Sequence, residues 1–340
     1  MKFGSFPVAD SLGGIVAHSV RRDGVLMKKG EIVTANDIAR LQAAGIAEIT
    51  VAAMEAGDVA EDDAASALAA AIAGAGLRVD RPFTGRANLF STVNGVLAYD
   101  PATVDAINAV DERVTFATLP AMRAVVEGEM VATVKIIPFA VPGAALAAAI
   151  AAAGTRCLHV AAFQPLRIAV ISTMLPGLKP SVVEKTLRVL EARLAPTGAA
   201  IVAHAQVVHE TPALAHAVAT MGPGCDILIV FGASAITDRR DVIPMAVVSA
   251  GGTIDHFGMP VDPGNLLLLA HLPGGPHVIG APGCARSPKE NGFDFVLQRL
   301  IAGVPVTGAD IRRMGAGGLL MEIVSRPQPR QSPTAVPGDD

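Results

Sequence analysis

Arg167-Ile-Ala-Val-Ile-Ser-Thr173 is an apolar run that ends in two hydroxyls. An uninterrupted run of this length reads as a strand buried on both faces, as occurs where helices cover a parallel sheet. Working outward, Pro176-Gly177 forms a loop, and then Val183, Leu187, Leu190 and Leu194 recur at helical spacing with Glu184, Lys185, Arg188, Glu191 and Arg193 between them. That pattern predicts an amphipathic helix covering the strand. Pro196 and Gly198 stop it, and Ala199–Val208 returns as a strand. Thr211-Pro212 reads as an N-cap followed by proline at the first helical position, opening a helix towards Met221. Asp226–Phe231 is a second buried strand, ending in Gly232-Ala233-Ser234, and His277–Gly283 is another. Ser287-Pro288 precedes Phe293, Val296, Leu297, Leu300 and Ile301 at i, i+3, i+4, i+7 and i+8, with Gly303 as the C′ residue of that helix.

Strand and helix alternate from about 165 to 303, which predicts an α/β domain over 165–310 built on a doubly wound, mostly parallel sheet. Ligands of such sheets sit at the carboxyl ends of the strands, here the loops after Thr173, Val208, Phe231 and Gly280. The N-terminal half reads as a mixed α/β segment over 1–79 and a small β-rich region over 80–164. In it, Thr34 caps a helix that Gly45 stops, and an acidic, alanine-rich helix covers Glu61 to Ala73. After Ser325, Pro327, Pro329, Pro333 and Pro337 interrupt a stretch with no apolar pattern, so 326–340 is expected to be a disordered tail.

The 340 residues are 51% hydrophobic and 17% charged, which excludes a disordered chain. A net charge of −4 gives no electrostatic footprint for nucleic acid or an anionic membrane. Trp is absent and aromatics total 4%, so the core must be small and aliphatic. Cys157, Cys225 and Cys284 form an odd set without CxxC spacing, which argues against disulfides and a cysteine zinc site and fits a reducing cytoplasm. The start, MKFGSFPVAD, does not read as a secretory leader. Pro138, Pro142 and Gly143 break the longest uncharged stretch, so no membrane span is expected.

Chemistry concentrates between Phe231 and Pro244. Gly232, Ala233 and Ser234 would let backbone N–H groups approach a ligand, Ser234 and Thr237 add hydroxyls, and Arg239 and Arg240 suit a phosphate or oxyanion. Asp238 and Asp241 bring carboxylates able to hold Mg²⁺ beside that anion. The same residues also suit an ordinary strand-to-helix connection. Pro263-Gly264-Asn265 and Pro282-Gly283-Cys284, the latter followed by Arg286, Ser287 and Lys289, are turns at which a capped helix would leave free N–H groups for an anion. Cys284 reads as a buried or ligand-lining thiol, and the eight histidines lack a metal-ligand context such as HExxH.

Two stretches together resemble the molybdopterin-binding proteins of molybdenum-cofactor biosynthesis. Residues 28–51, beginning Lys28-Lys-Gly-Glu-Ile-Val-Thr34, are similar to the segment that precedes the pterin-binding domain of molybdopterin molybdotransferases. Residues 167–303 are similar to that domain, which molybdopterin adenylyltransferases share. Arg240-Asp241-Val242 with Pro244 resembles the family's Arg-Asp-Val-Thr-Pro run, Glu210 falls where an Asp is usual, and Pro263-Gly264 and Pro282-Gly283 match two late Pro-Gly turns. The chain departs from the pattern at Ala233, Asn265 and Cys284, where the family carries glycine, lysine and asparagine. The resemblance implies molybdopterin or its adenylylated form as ligand, Mg²⁺, molybdate as a substrate, and transfer of molybdenum to the pterin dithiolene. Asp241, Asp238 and Glu210 would be catalytic, with Asp238 and Asp241 on the metal. Backbone N–H groups at Gly232, Ala233 and Ser234 with Arg239 and Arg240 would anchor the phosphate; Thr237, Pro263, Gly264, Pro282, Gly283, Arg286 and Ser287 would also bind the cofactor, and the Pro-Gly turns with Arg286 and Lys289 are where molybdate would be held. It also implies a homo-oligomer that meets molybdoenzymes or other biosynthesis proteins. A non-catalytic carrier on the same fold and an unrelated nucleotide-binding α/β protein are the alternatives.

Overall fold

The computed structural model describes residues 1–320 and divides the chain into two units, Met1–Gln164 and Pro165–Asp340. The expected disordered tail, 326–340, lies outside the described residues.

The second unit is built on one six-stranded sheet. In chain order its elements are β1 (Arg167–Met174), α1 (Pro180–Leu194), β2 (Ala200–Val208), α2 (Thr211–Met221), β3 (Ile227–Phe231), α3 (Val242–Ser249), β4 (Thr253–Phe257), β5 (Leu268–His271), β6 (His277–Ala281), α4 (Gly292–Ile301) and α5 (Gly308–Arg313). The strand order is β2-β1-β3-β6-β5-β4. β2, β1, β3 and β6 run parallel, whereas β5 is antiparallel to β6 and β4 antiparallel to β5. β4 therefore points the same way as β3 and β6, and its carboxyl end lies on their edge. Sequence reading did not place α3, β4 or β5.

Side chains alternate across each strand, and the two faces carry different helices. Ala169, Ile171, Leu228, Val230 and Val278 pack with Leu214 and Val218 of α2 and with Ile243, Ala246 and Val247 of α3. Phe231, next to Val230 and so turned to the other face, meets Phe293 of α4 with ring centroids 6.4 Å apart. All five residues of β3 are buried, as its uninterrupted apolar run requires. Gly303 adopts φ 68° beyond α4, as a C′ residue should. One cap assignment changes. Glu210, not Thr211, holds the N-cap position of α2 and makes no side-chain cap bond. α4, for which no cap was expected, is capped by Asn291, whose side-chain Oδ1 accepts from the Phe293 N–H, with Asp294 reaching back to the Asn291 N–H.

The first unit contains two apolar clusters. One joins Val16, Met27, Leu41 and Val51. It lies between the antiparallel pair Lys2–Pro7 and Glu48–Ala53 and a helix, Ala35–Ala43, closed by a Thr34/Asp37 capping box. The other joins Leu68, Ile72, Leu89, Val134, Ile136 and Leu146. The region expected to be β-rich also carries helices Pro101–Asn108 and Gly143–Ala153, the second starting at the proline and glycine that break the long uncharged stretch. Among the described residues, no helix is long and apolar enough to cross a membrane.

Candidate functional site

Loops distant in sequence meet at the carboxyl edge of the second unit's sheet. Ala235, Pro263, Gly264, Asn265, Leu266, Pro282, Gly283, Cys284, Ser287, Lys289 and Asn291 line a groove of about 460 Å³, a size suited to a small molecule. Both Pro-Gly turns and Ser287 are thus brought together. Gly264 takes φ 145°, and a Cβ there would stand 2.8 Å from the Gly292 Cα and N, so two residues without side chains let the turn lie on the start of α4.

The expected helix N-termini are not behind these turns. Pro263-Gly264 leads into β5, and Pro282-Gly283 into one 3₁₀ turn, Gly283–Arg286. The groove's polar character comes instead from side chains. Lys289 is exposed, and no described carboxylate lies within ion-pair distance of it. Asn265 donates to the Met259 carbonyl at 3.4 Å, and Asn291 donates to the Lys289 carbonyl at 3.0 Å. The Cys284 thiol lies 3.6 Å from the Asn291 side-chain oxygen.

The groove's wall is held by an arginine that sequence reading treated as one of the charges on a solvated helix face. Arg193 Nε donates to Asp294 Oδ1 at 2.6 Å, and its remaining nitrogens donate to the carbonyls of Ala285 (2.7 Å), Ser287 (2.5 Å) and Lys289 (3.2 Å). Arg193 and Asp294 side chains are only 9% and 8% exposed. No short-range signal marks this role, because the partners lie 92 to 101 residues away. The same pair also faces a smaller hollow of about 250 Å³ between α1 and α4, whose charged lining is thereby already matched.

Arg286 is also committed internally. Its guanidinium donates to Thr186 Oγ1 and to the Gly232 carbonyl, each at 2.8 Å, and lies over the Phe231 ring. Burial pulls its pKa down.

The loop after β3 satisfies itself. The Ala233 N–H donates to Thr173 Oγ1 at 2.8 Å, and that hydroxyl also meets His209 Nδ1 at 2.8 Å. A Cβ on Gly232 would stand 2.6 Å from the Ser234 carbonyl oxygen and 2.9 Å from Ile243, so its glycine meets a packing need. Asp241 is the N-cap of α3. One carboxylate oxygen accepts from the Val242 N–H at 2.8 Å and the other from the Thr237 N–H at 3.1 Å. Asp238 accepts from both the backbone N–H and Nε of Arg240 at 2.8 Å. The Arg240 side chain beside it, then the backbone bond, hold its carboxyl below the usual carboxylate range. Ser234 and Arg239 are exposed on this loop, and Glu210 is exposed at the start of α2.

Asp238 and Asp241 are the carboxylates expected to hold Mg²⁺. Both aspartates are taken, and among the described residues no group of three or more His, Cys, Asp and Glu side chains is arranged to hold a metal. None of Asp238, Asp241 and Glu210 lines the groove.

A family profile described as Domain of unknown function (DUF8806) matches residues 5–53. No curated protein matches the chain. Among solved structures, it is similar to a molybdopterin biosynthesis moea protein from Pyrococcus horikosii, at 14% identity and TM-score 0.32, covering 91% of this chain and 76% of that one. It is also similar to a molybdenum cofactor biosynthesis protein from Pyrococcus furiosus, at 11% identity and TM-score 0.24, covering 92% of this chain and 65% of that one. Both likenesses are distant.

Proposed function

We propose that this protein binds a pterin of the molybdopterin class within molybdenum-cofactor biosynthesis and carries it to a recipient protein. The observation that carries the reading is the convergence of Pro263-Gly264 and Pro282-Gly283, the two turns of the sequence resemblance, on one groove. Its lining holds one cation, Lys289, two amides and a thiol, and no carboxylate. An anionic pterin is attracted by such a lining, and a groove of this size accommodates one. Asp241 and Asp238 carry out structural tasks at the start of α3 and beside Arg240. This favours binding over molybdenum transfer, since stabilising charge in a transition state requires groups aimed at the reacting atoms.

Denaturing extraction of the purified full chain, followed by oxidation and pterin fluorescence, tests the reading. It predicts a retained pterin, lost several-fold in Lys289→Glu, and no molybdate- and Mg²⁺-dependent AMP release from adenylylated molybdopterin. Absence of any bound or bindable pterin contradicts the ligand. Sustained AMP release contradicts the carrier and restores the transferase.

A further inference from the structure

An antiparallel sheet of the first unit runs in the order Val114–Thr118, Met130–Ile136, Arg86–Ser91, Leu77–Val79. Its inner face is core, with Ala87, Leu89, Val134 and Ile136 buried. Side chains alternate along the two central strands, across a register shift between Met130 and Ala132, so Arg86, Asn88 and Phe90 stand on the outer face with Lys135, Thr133 and Met130 opposite them. The two ends of this face differ. At one, Arg86 and Lys135 are directly opposite, a pairing of like charges that weakens a sheet. Lys135 reaches Glu61 at 3.7 Å, whereas Arg86 donates to Thr133 Oγ1 at 3.1 Å and, among the described residues, has no carboxylate within ion-pair distance. The turn 83–86 closes this end and is held fast: Asp62 Oδ1 accepts from the Gly85 N–H at 2.6 Å, and the Ile136 N–H donates to the Gly85 carbonyl at 2.8 Å. It presents Phe83, 75% exposed, and is flanked by Ile137, 58% exposed. At the other end, the turn 126–129 is tied to the Ser91 carbonyl through the Gly128 N–H at 2.8 Å. It presents Val126 and Met130, 53% and 49% exposed, beside Glu127 and Glu129. Glu129 pairs with Arg123 at 3.2 Å, and Glu127, among the described residues, has no cation within ion-pair distance. Arg78, over the Phe90 ring, is paired with Asp80.

A basic apolar end and an acidic apolar end, about 20 Å apart along Met130–Ile136 at about 3.3 Å per residue, make this face complementary to itself. We infer that it docks a second copy of the chain, related by a two-fold rotation that lays the acidic end of each copy on the basic end of the other. Arg86 of each copy then meets Glu127 of the other, and Phe83 and Ile137 pack on Val126 and Met130 of the other. Copies stacked in the same direction would instead set Arg86 on Arg86. A two-fold contact closes at two copies, because each patch meets its complement twice. Within it, the buried aromatic anchors supply much of the energy, and the charges fix the register. The surface belongs to the first unit, and its occupancy does not depend on what the groove binds.

Sedimentation equilibrium of the full chain measures the pairing. The parent should form a dimer whose dissociation constant rises with salt. Arg86→Glu and Glu127→Lys should each weaken it at least tenfold, since each sets like charges together at both contacts. Joining the two changes in one chain, or mixing the two single variants in equal amounts, restores an opposite-charge pair at both contacts and should return parent-like affinity. Phe83→Ser should weaken the dimer at least tenfold with an unchanged thermal midpoint of the single copy, in which that side chain is exposed. A parent that stays monomeric at high micromolar concentration overturns the inference. So does a dimer indifferent to both charge reversals, or a doubly reversed chain that pairs as weakly as either single variant. Pterin retained by a monomeric parent leaves the carrier standing and removes the interface. A dimer that obeys the reversals but retains no pterin does the opposite.

Discussion

The loop of residues 232–241 and the groove between the two Pro-Gly turns share one sheet edge, yet their polar groups do opposite things. The loop is dense in chemistry and closed: Asp238 and Arg240 pair, Asp241 caps α3, and the Ala233 N–H is taken by Thr173. The groove is sparse and open, with Lys289 and its amides set around a hollow. Polar residues adjacent in sequence reach each other cheaply and satisfy one another. In the groove, the 285–289 wall is instead fixed by a residue distant in sequence, Arg193, which leaves the lining side chains facing the hollow.

That contrast can be broken first at Arg193. Arg193→Met leaves Asp294 buried without its partner and three carbonyls without their donor, and loss of one member of a buried pair costs about 3–5 kcal/mol. Urea denaturation of the full chain should show this loss together with weakened pterin binding. A change below about 1 kcal/mol would mean that the wall does not depend on Arg193. Asp241→Ala should cost less, about 0.5–2 kcal/mol for a lost N-cap, and should leave pterin affinity unchanged. The smallest effect concerns Asp238. Its carboxyl is held low by Arg240, so whatever stability the pair gives is present above the ordinary carboxylate pKa and is lost as pH falls through the lower folded value. Carboxylate NMR should place its midpoint below 3.8, returning towards it in Arg240→Gln. A midpoint at 3.8 in the parent would leave Asp238 available to a cation.

The parallel core was legible because β3 is apolar throughout, β1 carries the unbroken apolar run Ile168–Ile171, and α4 repeats its buried residues at helical spacing. β4, Thr-Ile-Asp-His-Phe, is half-exposed and polar, so periodicity could not separate it from loop. α3, Val-Ile-Pro-Met-Ala-Val-Val-Ser, is apolar nearly all round and lacks the alternation that marks a helix surface. Within the site, the Pro-Gly turns could be named from sequence, but their meeting could not, since it follows from the order of strands. Arg193 was read by its helix neighbours, Glu191 and Arg188, whereas its partners belong to residues 285–294. Asp241 was read by its chemistry, although the Val242–Ser249 helix needed a cap at that position.

The central claim, that the groove and not the 232–241 loop receives the ligand, is tested most directly by titrating molybdopterin, followed by pterin fluorescence, into the parent, Lys289→Glu and Asp241→Asn forms of the full chain. The account predicts at least tenfold weaker binding for Lys289→Glu, about 1.4 kcal/mol, and parent-like affinity for Asp241→Asn. Unchanged affinity in Lys289→Glu with binding lost in Asp241→Asn would place the ligand on the loop and contradict it.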